Sequence, residues 1–90
     1  MAFIEVPING VLDLHTFQAK EISDLLPNYL SLCREKGIFH VRIIHGKGHG
    51  ILKARVHSLL KKNPLVVKYG DAPAESGGWG ATLVELNPSS

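Results

Sequence analysis

The sequence predicts a small α/β domain: a two-layer sandwich in which a mixed four-stranded sheet carries two helices, in the order β-α-β-α-β-β. Three observations predict it. Residues 17–36 and 51–62 repeat apolar side chains at the three-and-four spacing of amphipathic helices. Short runs rich in β-branched residues surround these two segments. The connections also differ. Helices join the first three runs, so those strands run parallel through right-handed crossovers. A Gly- and Pro-containing loop joins the last two, so the fourth strand returns antiparallel. Ninety residues, 44% of them apolar, suffice for one domain with a modest core.

Residues 1–10 read as an extended arm, because Pro7 is unsuited to a central strand and Asn9-Gly10 is a turn signal. The domain proper spans 11–86 and opens with a short strand, Val11 to His15. Thr16 offers a helix N-cap. Across Phe17 to Lys36, Ala19, Ile22, Leu26, Tyr29 and Cys33 form a stripe that Leu25, Leu30 and Leu32 widen. Pro27 cannot donate to the Ser23 carbonyl, so a kink or break is expected there, and Gly37 is a helix stop. Phe39 to Ile44 is the second strand, followed by the turn His45-Gly46-Lys47-Gly48-His49-Gly50. In the second helix, Ile51 to Lys62, Leu52, Val56, Leu59 and Leu60 face inward, and Lys53, His57 and Lys61 form a basic stripe on the other side. Leu65 to Tyr69 is the third strand, 70–80 a loop, Ala81 to Leu86 the last strand, and 87–90 a tail.

Composition narrows the function classes. A single cysteine, Cys33, excludes an internal disulfide framework and a thiolate zinc cluster, and its apolar position marks it as core. No apolar run approaches the roughly 20 residues that span a bilayer. The first residues lack a basic segment followed by a long apolar one. The expectation is a cytoplasmic protein with no membrane partner, and a monomer because no amphipathic element is left over. The net charge of +2 is slight support for an anionic partner.

Functional groups of such a sheet gather beyond the carboxyl ends of its parallel strands. Topology brings Asp13, His15, His45, Lys47 and Gly77-Gly78-Trp79-Gly80 to one edge. Glycines in the 45–50 turn let backbone approach a ligand, and the start of the next helix presents unpaired N–H groups. Lys47 and His49 add cations or donors, which suits phosphate; a plain strand-to-helix turn would use the same glycines. The spacing of Gly46, Lys47 and Gly48 does not fit the Walker phosphate loop. The dinucleotide pattern G-x-G-x-x-G fails at its third glycine, where Ile51 stands, so no nucleotide cofactor is expected. Asp13 and His15, two apart, point to one side of their strand. One reading is a carboxylate that orients a histidine or holds a metal, beside an acid–base imidazole. The other is an Asp bonded to backbone and a His that helps Thr16 cap the helix. His40 reads as structural, and His57 as solvated. Trp79 either stacks on a base or covers the core's edge.

Leu12-Asp13-Leu14-His15, His45-Gly46-Lys47-Gly48 and Gly77-Gly78-Trp79-Gly80-Ala81-Thr82, in that order, resemble the Smr (small MutS-related) domain, which ends bacterial MutS2 proteins and also occurs alone. The likeness runs from about Val11 to Leu86, with one departure: Thr16 stands where many members have Gly. It implies a fold similar to the C-terminal domain of translation initiation factor three. It also implies nucleic-acid binding and, in several members, nicking of DNA or RNA helped by a divalent metal.

Three functions follow. In an endonuclease, Asp13 would bind Mg2+ or Mn2+ or orient His15, and His15 or His45 would activate water or protonate the leaving oxygen. Lys47 and the Gly46–Gly50 amides would hold the phosphate. Asp13 is the one well-placed acid, with Asp71 and Glu75 within the loop's reach, so a one-metal or histidine-based route is the economical one. In a module that only binds the DNA or RNA backbone, Arg42, Gly46, Lys47, Gly48, His49, Lys53 and Lys61 would meet phosphates, with Gly78, Trp79 and Gly80 beside them. A protein-interaction domain on ribosomal or repair assemblies is a third option.

Overall fold

The computed structural model describes residues 7–15, 17–46, 50–76 and 78–88, without the side chains of Ser76 and Trp79. Thr16, Lys47, Gly48, His49, Gly77 and most of the N-terminal arm therefore lie outside the described residues. Four strands, β1 (Val11–Asp13), β2 (His40–Ile44), β3 (Val66–Asp71) and β4 (Ala81–Leu86), form one sheet with two helices, α1 (Ala19–Glu35) and α2 (Ile51–Lys62). The strand order is β1-β2-β4-β3. β1 pairs parallel with β2, and β4 runs antiparallel to both β2 and β3. β4 thus separates β2 from β3. The three helix-linked strands keep the predicted common direction, although only β1 and β2 share a parallel ladder. The 72–80 connection contains two short 3-10 turns, Ala74–Ser76 and Gly78–Gly80.

The core lies on one face of the sheet. Leu12, Leu14, Val41, Ile43, Val84 and Leu86 point to that face and pack against Ile22, Leu25, Leu26, Tyr29, Leu30 and Cys33 of α1 and Val56 and Leu60 of α2. The α1 set follows i, i+3, i+4, i+7, i+8 and i+11, the apolar stripe of an amphipathic helix. Alternate residues of β1, β2 and β4, among them Val11, Arg42, Leu83 and Glu85, face the uncovered side.

Two local expectations are corrected. The α1 N-cap is Gln18, whose N–H donates to the Glu21 carboxylate at 2.9 Å. A turn closed by the Phe17 N–H on the Leu14 carbonyl (2.9 Å) displaces the helix start beyond Thr16. Of the kink or break expected at Pro27, the break is absent: the helix continues through it. Ser23 and Pro27 are both exposed, so the missing bond lies on the side of α1 away from the core. The stop at Gly37 is as expected. Gly37 has φ +79, its N–H reaches Arg34 O at 3.0 Å, and Ile38 N reaches Cys33 O at 2.8 Å. These are the two bonds of a Schellman cap.

Gly10, at φ +91, sets the entry to β1. A Cβ there would lie 3.2 Å from Ile38 Cγ2 and 3.3 Å from the His40 carbonyl. Its carbonyl accepts from Arg42 N at 2.7 Å, and its N–H donates to the Tyr29 hydroxyl at 3.2 Å. A buried tyrosine from α1 therefore aligns β1 against β2.

Candidate nucleic-acid interface

The carboxyl ends of β1 and β2 and the start of β4 meet at one edge, where Asp13 pairs with Ile44 and Ile44 with Ala81. Two side-chain groups occupy it, on opposite faces. The first is exposed. His15 Nδ1 lies 2.6 Å from Asp13 Oδ1, and the His15 backbone N–H donates to the same oxygen at 3.0 Å. Both bonds hold the Asp13 carboxyl below its usual value of 3.8, the side-chain bond more strongly, so it is ionised at neutral pH. A carboxylate only accepts, so Nδ1 carries the proton and Nε2 lies on the far side of a ring whose side chain is 67% exposed.

The second group is turned inward. The His45 side chain belongs to the helix-covered face, and the residue is only 4% exposed. Nδ1 is 3.1 Å from the Gly46 carbonyl, and Nε2 is 2.8 Å from Thr82 Oγ1. His57 Nε2, from α2, meets the same hydroxyl at 2.9 Å. The His57 ring stands edge-on to Tyr69, with centroids 5.1 Å apart. Beside it, Lys53 Nζ pairs with Asp71 Oδ1 at 2.8 Å. Thr82 is paired in register with Asp71 and Ile43, so one β4 residue gathers groups from β2, α2 and β3.

Backbone ties these parts together. The N–H groups of His45 and Gly46 both donate to the Gly80 carbonyl, at 3.0 and 2.9 Å, which fastens the end of β2 to the 78–80 turn. Gly78 N donates to Pro73 O at 2.9 Å. Gly46, at φ +80, takes the left-handed conformation that glycine favours.

The candidate residues sort accordingly. Asp13 and His15 are joined directly; Gly78 and Gly80 share their edge with His45 and Gly46. Arg42 is two residues back from the edge, opposite Val11 and Leu83 on the uncovered face. The expected solvated stripe of Lys53, His57 and Lys61 is corrected. Only Lys61 is exposed, the Lys53 side chain is 15% exposed and ion-paired, and His57 is bonded to Thr82. The Gly46 amide, expected to meet phosphate, is taken by Gly80. His40, read as structural, is exposed. Thr82 closes the third motif, but nothing in the sequence gives it a role; the structure does, through both imidazoles. His57 did carry a signal: Lys53, Val56, His57 and Leu60 fall at i, i+3, i+4 and i+7, one arc of the helix.

Among the described residues, no three His, Cys, Asp or Glu side chains converge as a metal site. Asp13 Oδ1 already accepts two bonds from His15. Among the described residues, Asp13 is the one carboxylate at this edge, so any Mg2+ or Mn2+ held there would draw most of its ligands from water and phosphate.

His57 carries a pH dependence. Burial pushes its pKa below the usual 6.5, Lys53 and His45 push the same way, and Asp71 opposes them. The folded protein then binds fewer protons at this site than the unfolded chain does. The stability it contributes is present above about pH 6.5 and is lost as pH falls through the lowered value. Urea midpoints are expected to fall between about pH 7 and pH 5. In His57→Gln that fall is shallower; an equally steep fall in the variant contradicts the assignment.

The fold and this edge define a small α/β domain that presents an Asp–His pair beside two glycine turns. The Smr domain family model matches residues 12–87, and the chain belongs to that family. It is 43% identical over 75 residues to Endonuclease MutS2 of Helicobacter pylori, covering 83% of this chain and 10% of that protein. It is 38% identical over 76 residues to Ribosome rescue factor SmrB of Aeromonas hydrophila, covering 84% of this chain and 44% of that protein. The chain thus spans a tenth to under half of these relatives. The crystal structure of the Smr domain of Thermus thermophilus MutS2 superposes with a TM-score of 0.84 at 31% identity, over 89% of this chain and 100% of that one. Among the described residues, no helix is long and apolar enough to cross a membrane.

Proposed function

We propose that this domain binds the phosphate backbone of DNA or RNA at the β1–β2–β4 edge and cleaves a phosphodiester there, with His15 as the acid–base group. The Asp13–His15 contact of 2.6 Å on an exposed edge carries the reading. Asp13 fixes the ring so that the neutral Nε2 has its lone pair outward. That nitrogen takes the proton from the attacking oxygen as its bond to phosphorus forms and the bond to the leaving oxygen breaks. Lys47 and His49 of the turn and the first amides of α2 supply positive potential for the phosphate. A relative named for endonuclease activity supports cleavage. A relative named for ribosome rescue favours RNA on the ribosome as a substrate setting, and with it a second reading in which the edge binds without cutting.

The test uses the full chain with labelled supercoiled plasmid and structured RNA, with and without Mg2+, Mn2+ or EDTA. Expected are cuts that persist in EDTA and affinity that falls log-linearly with salt. Binding with no cut product under any condition selects the second reading. Affinity independent of salt refutes both.

A further inference from the structure

We propose that Thr82 and His57 form a hydrogen-bond relay of fixed polarity that holds His45 in one tautomer, and through it positions the glycine turns of the sheet edge. One carbonyl dictates the direction. Gly46 O can only accept, so His45 Nδ1, 3.1 Å away, must carry a proton. In a neutral ring Nε2 is then an acceptor, and the Thr82 hydroxyl, 2.8 Å away, donates its one proton to it. Oγ1 has only lone pairs left for His57, so His57 Nε2, at 2.9 Å, must donate. The order is His57 Nε2–H to Thr82 Oγ1–H to His45 Nε2, with His45 Nδ1–H to Gly46 O.

The surroundings enforce this order. Thr82 is fully buried, so its hydroxyl has no water to substitute for either ring. The groups facing His57 are Lys53, Asp71, Tyr69 and His45, and burial with Lys53 keeps it neutral. Protonating His45 would make Nε2 a donor and require Oγ1–H to turn toward His57, which must then accept. With both rings cationic, two N–H groups would converge on Oγ1 and its own proton would have no ring acceptor.

The consequence reaches the edge through backbone. His45 grips the Gly46 carbonyl, and the amides of both residues hold Gly80. His57 and Thr82 are thus positioning residues, which act on the edge through His45 and the Gly46 carbonyl. Their effect on binding rests on the phosphate-edge reading above; the tautomers do not.

The test is long-range 1H–15N NMR of the imidazoles in the full chain at neutral pH. Expected are a pyrrole-type Nδ1 and pyridine-type Nε2 in His45, and the reverse in His57. Thr82→Val removes the hydroxyl at nearly constant shape and should release both rings into mixed tautomers. Thr82→Ser should restore the wild-type pattern, and His57→Gln, which keeps an N–H donor, should leave His45 unchanged. Affinity for a labelled single-stranded oligonucleotide should fall by roughly tenfold in Thr82→Val, the scale of one positioning hydrogen bond, and recover in Thr82→Ser. A wild-type His45 protonated on Nε2 overturns the relay. So does a Thr82→Val or, should that variant not fold, a Thr82→Ser spectrum that shows the tautomers do not follow the hydroxyl. If wild type binds no oligonucleotide, the phosphate-edge reading fails, while the imidazole spectra still decide the relay.

Discussion

His15→Ala is expected to slow phosphodiester cleavage by roughly 10²–10⁴-fold, the range a positioned acid–base group supplies. Affinity for the backbone should stay nearly unchanged, because the exposed ring contributes a proton path and not the main positive potential. His15 is 67% exposed in its side chain and, among the described residues, is held by Asp13, so its loss costs the fold little. Asp13→Ala should lower the rate by less, since the imidazole remains but is no longer oriented. Single-turnover cleavage beside equilibrium binding separates the two effects. Equal cleavage by wild type and His15→Ala would remove this residue from the chemistry.

The largest stability effect is expected at Tyr29. It is 2% exposed, in the middle of the α1 stripe, and its hydroxyl accepts from Gly10 N at 3.2 Å and lies 3.2 Å from the Val11 carbonyl. Tyr29→Ala removes a ring from the core and strands a buried amide. The cost should be about 3–5 kcal/mol, comparable to large aromatic deletions. A domain of this length has only roughly 5–13 kcal/mol in total. Tyr29→Phe keeps the ring and isolates the hydroxyl, at about 1–3 kcal/mol. Urea unfolding with an unchanged m-value measures both. A Tyr29→Phe midpoint equal to wild type would mean that the hydroxyl does not align β1.

How far the sequence could be read depended on whether a feature is local. The α1 stripe, the Gly37 cap and the β2 and β4 runs announce themselves through periodicity and punctuation. The Asp13–His15 contact was legible as well, because two residues apart on a strand share a side. Strand order was not, since nothing local says that β4 enters between β2 and β3. That insertion places Thr82 against β2 on one side and β3 on the other, and so creates the His45–Thr82–His57 hub. The inward turn of His45 follows from its parity with Val41 and Ile43, a pattern that the adjoining glycines obscured. Lys53 and His57 looked solvated because charge suggested a polar face, although their spacing put them beside Val56 and Leu60.

The proposed seat of nucleic acid is the β1–β2–β4 edge. Backbone amide shifts followed as a short oligonucleotide is added to the full chain test it most directly. The largest changes should fall at Asp13, Leu14, His15, His45, Gly46 and the Gly78–Gly80 turn, and should shrink as salt is raised. Changes concentrated instead on the outer surface of α1, around Leu32 and Glu35, with that edge unmoved, would contradict it.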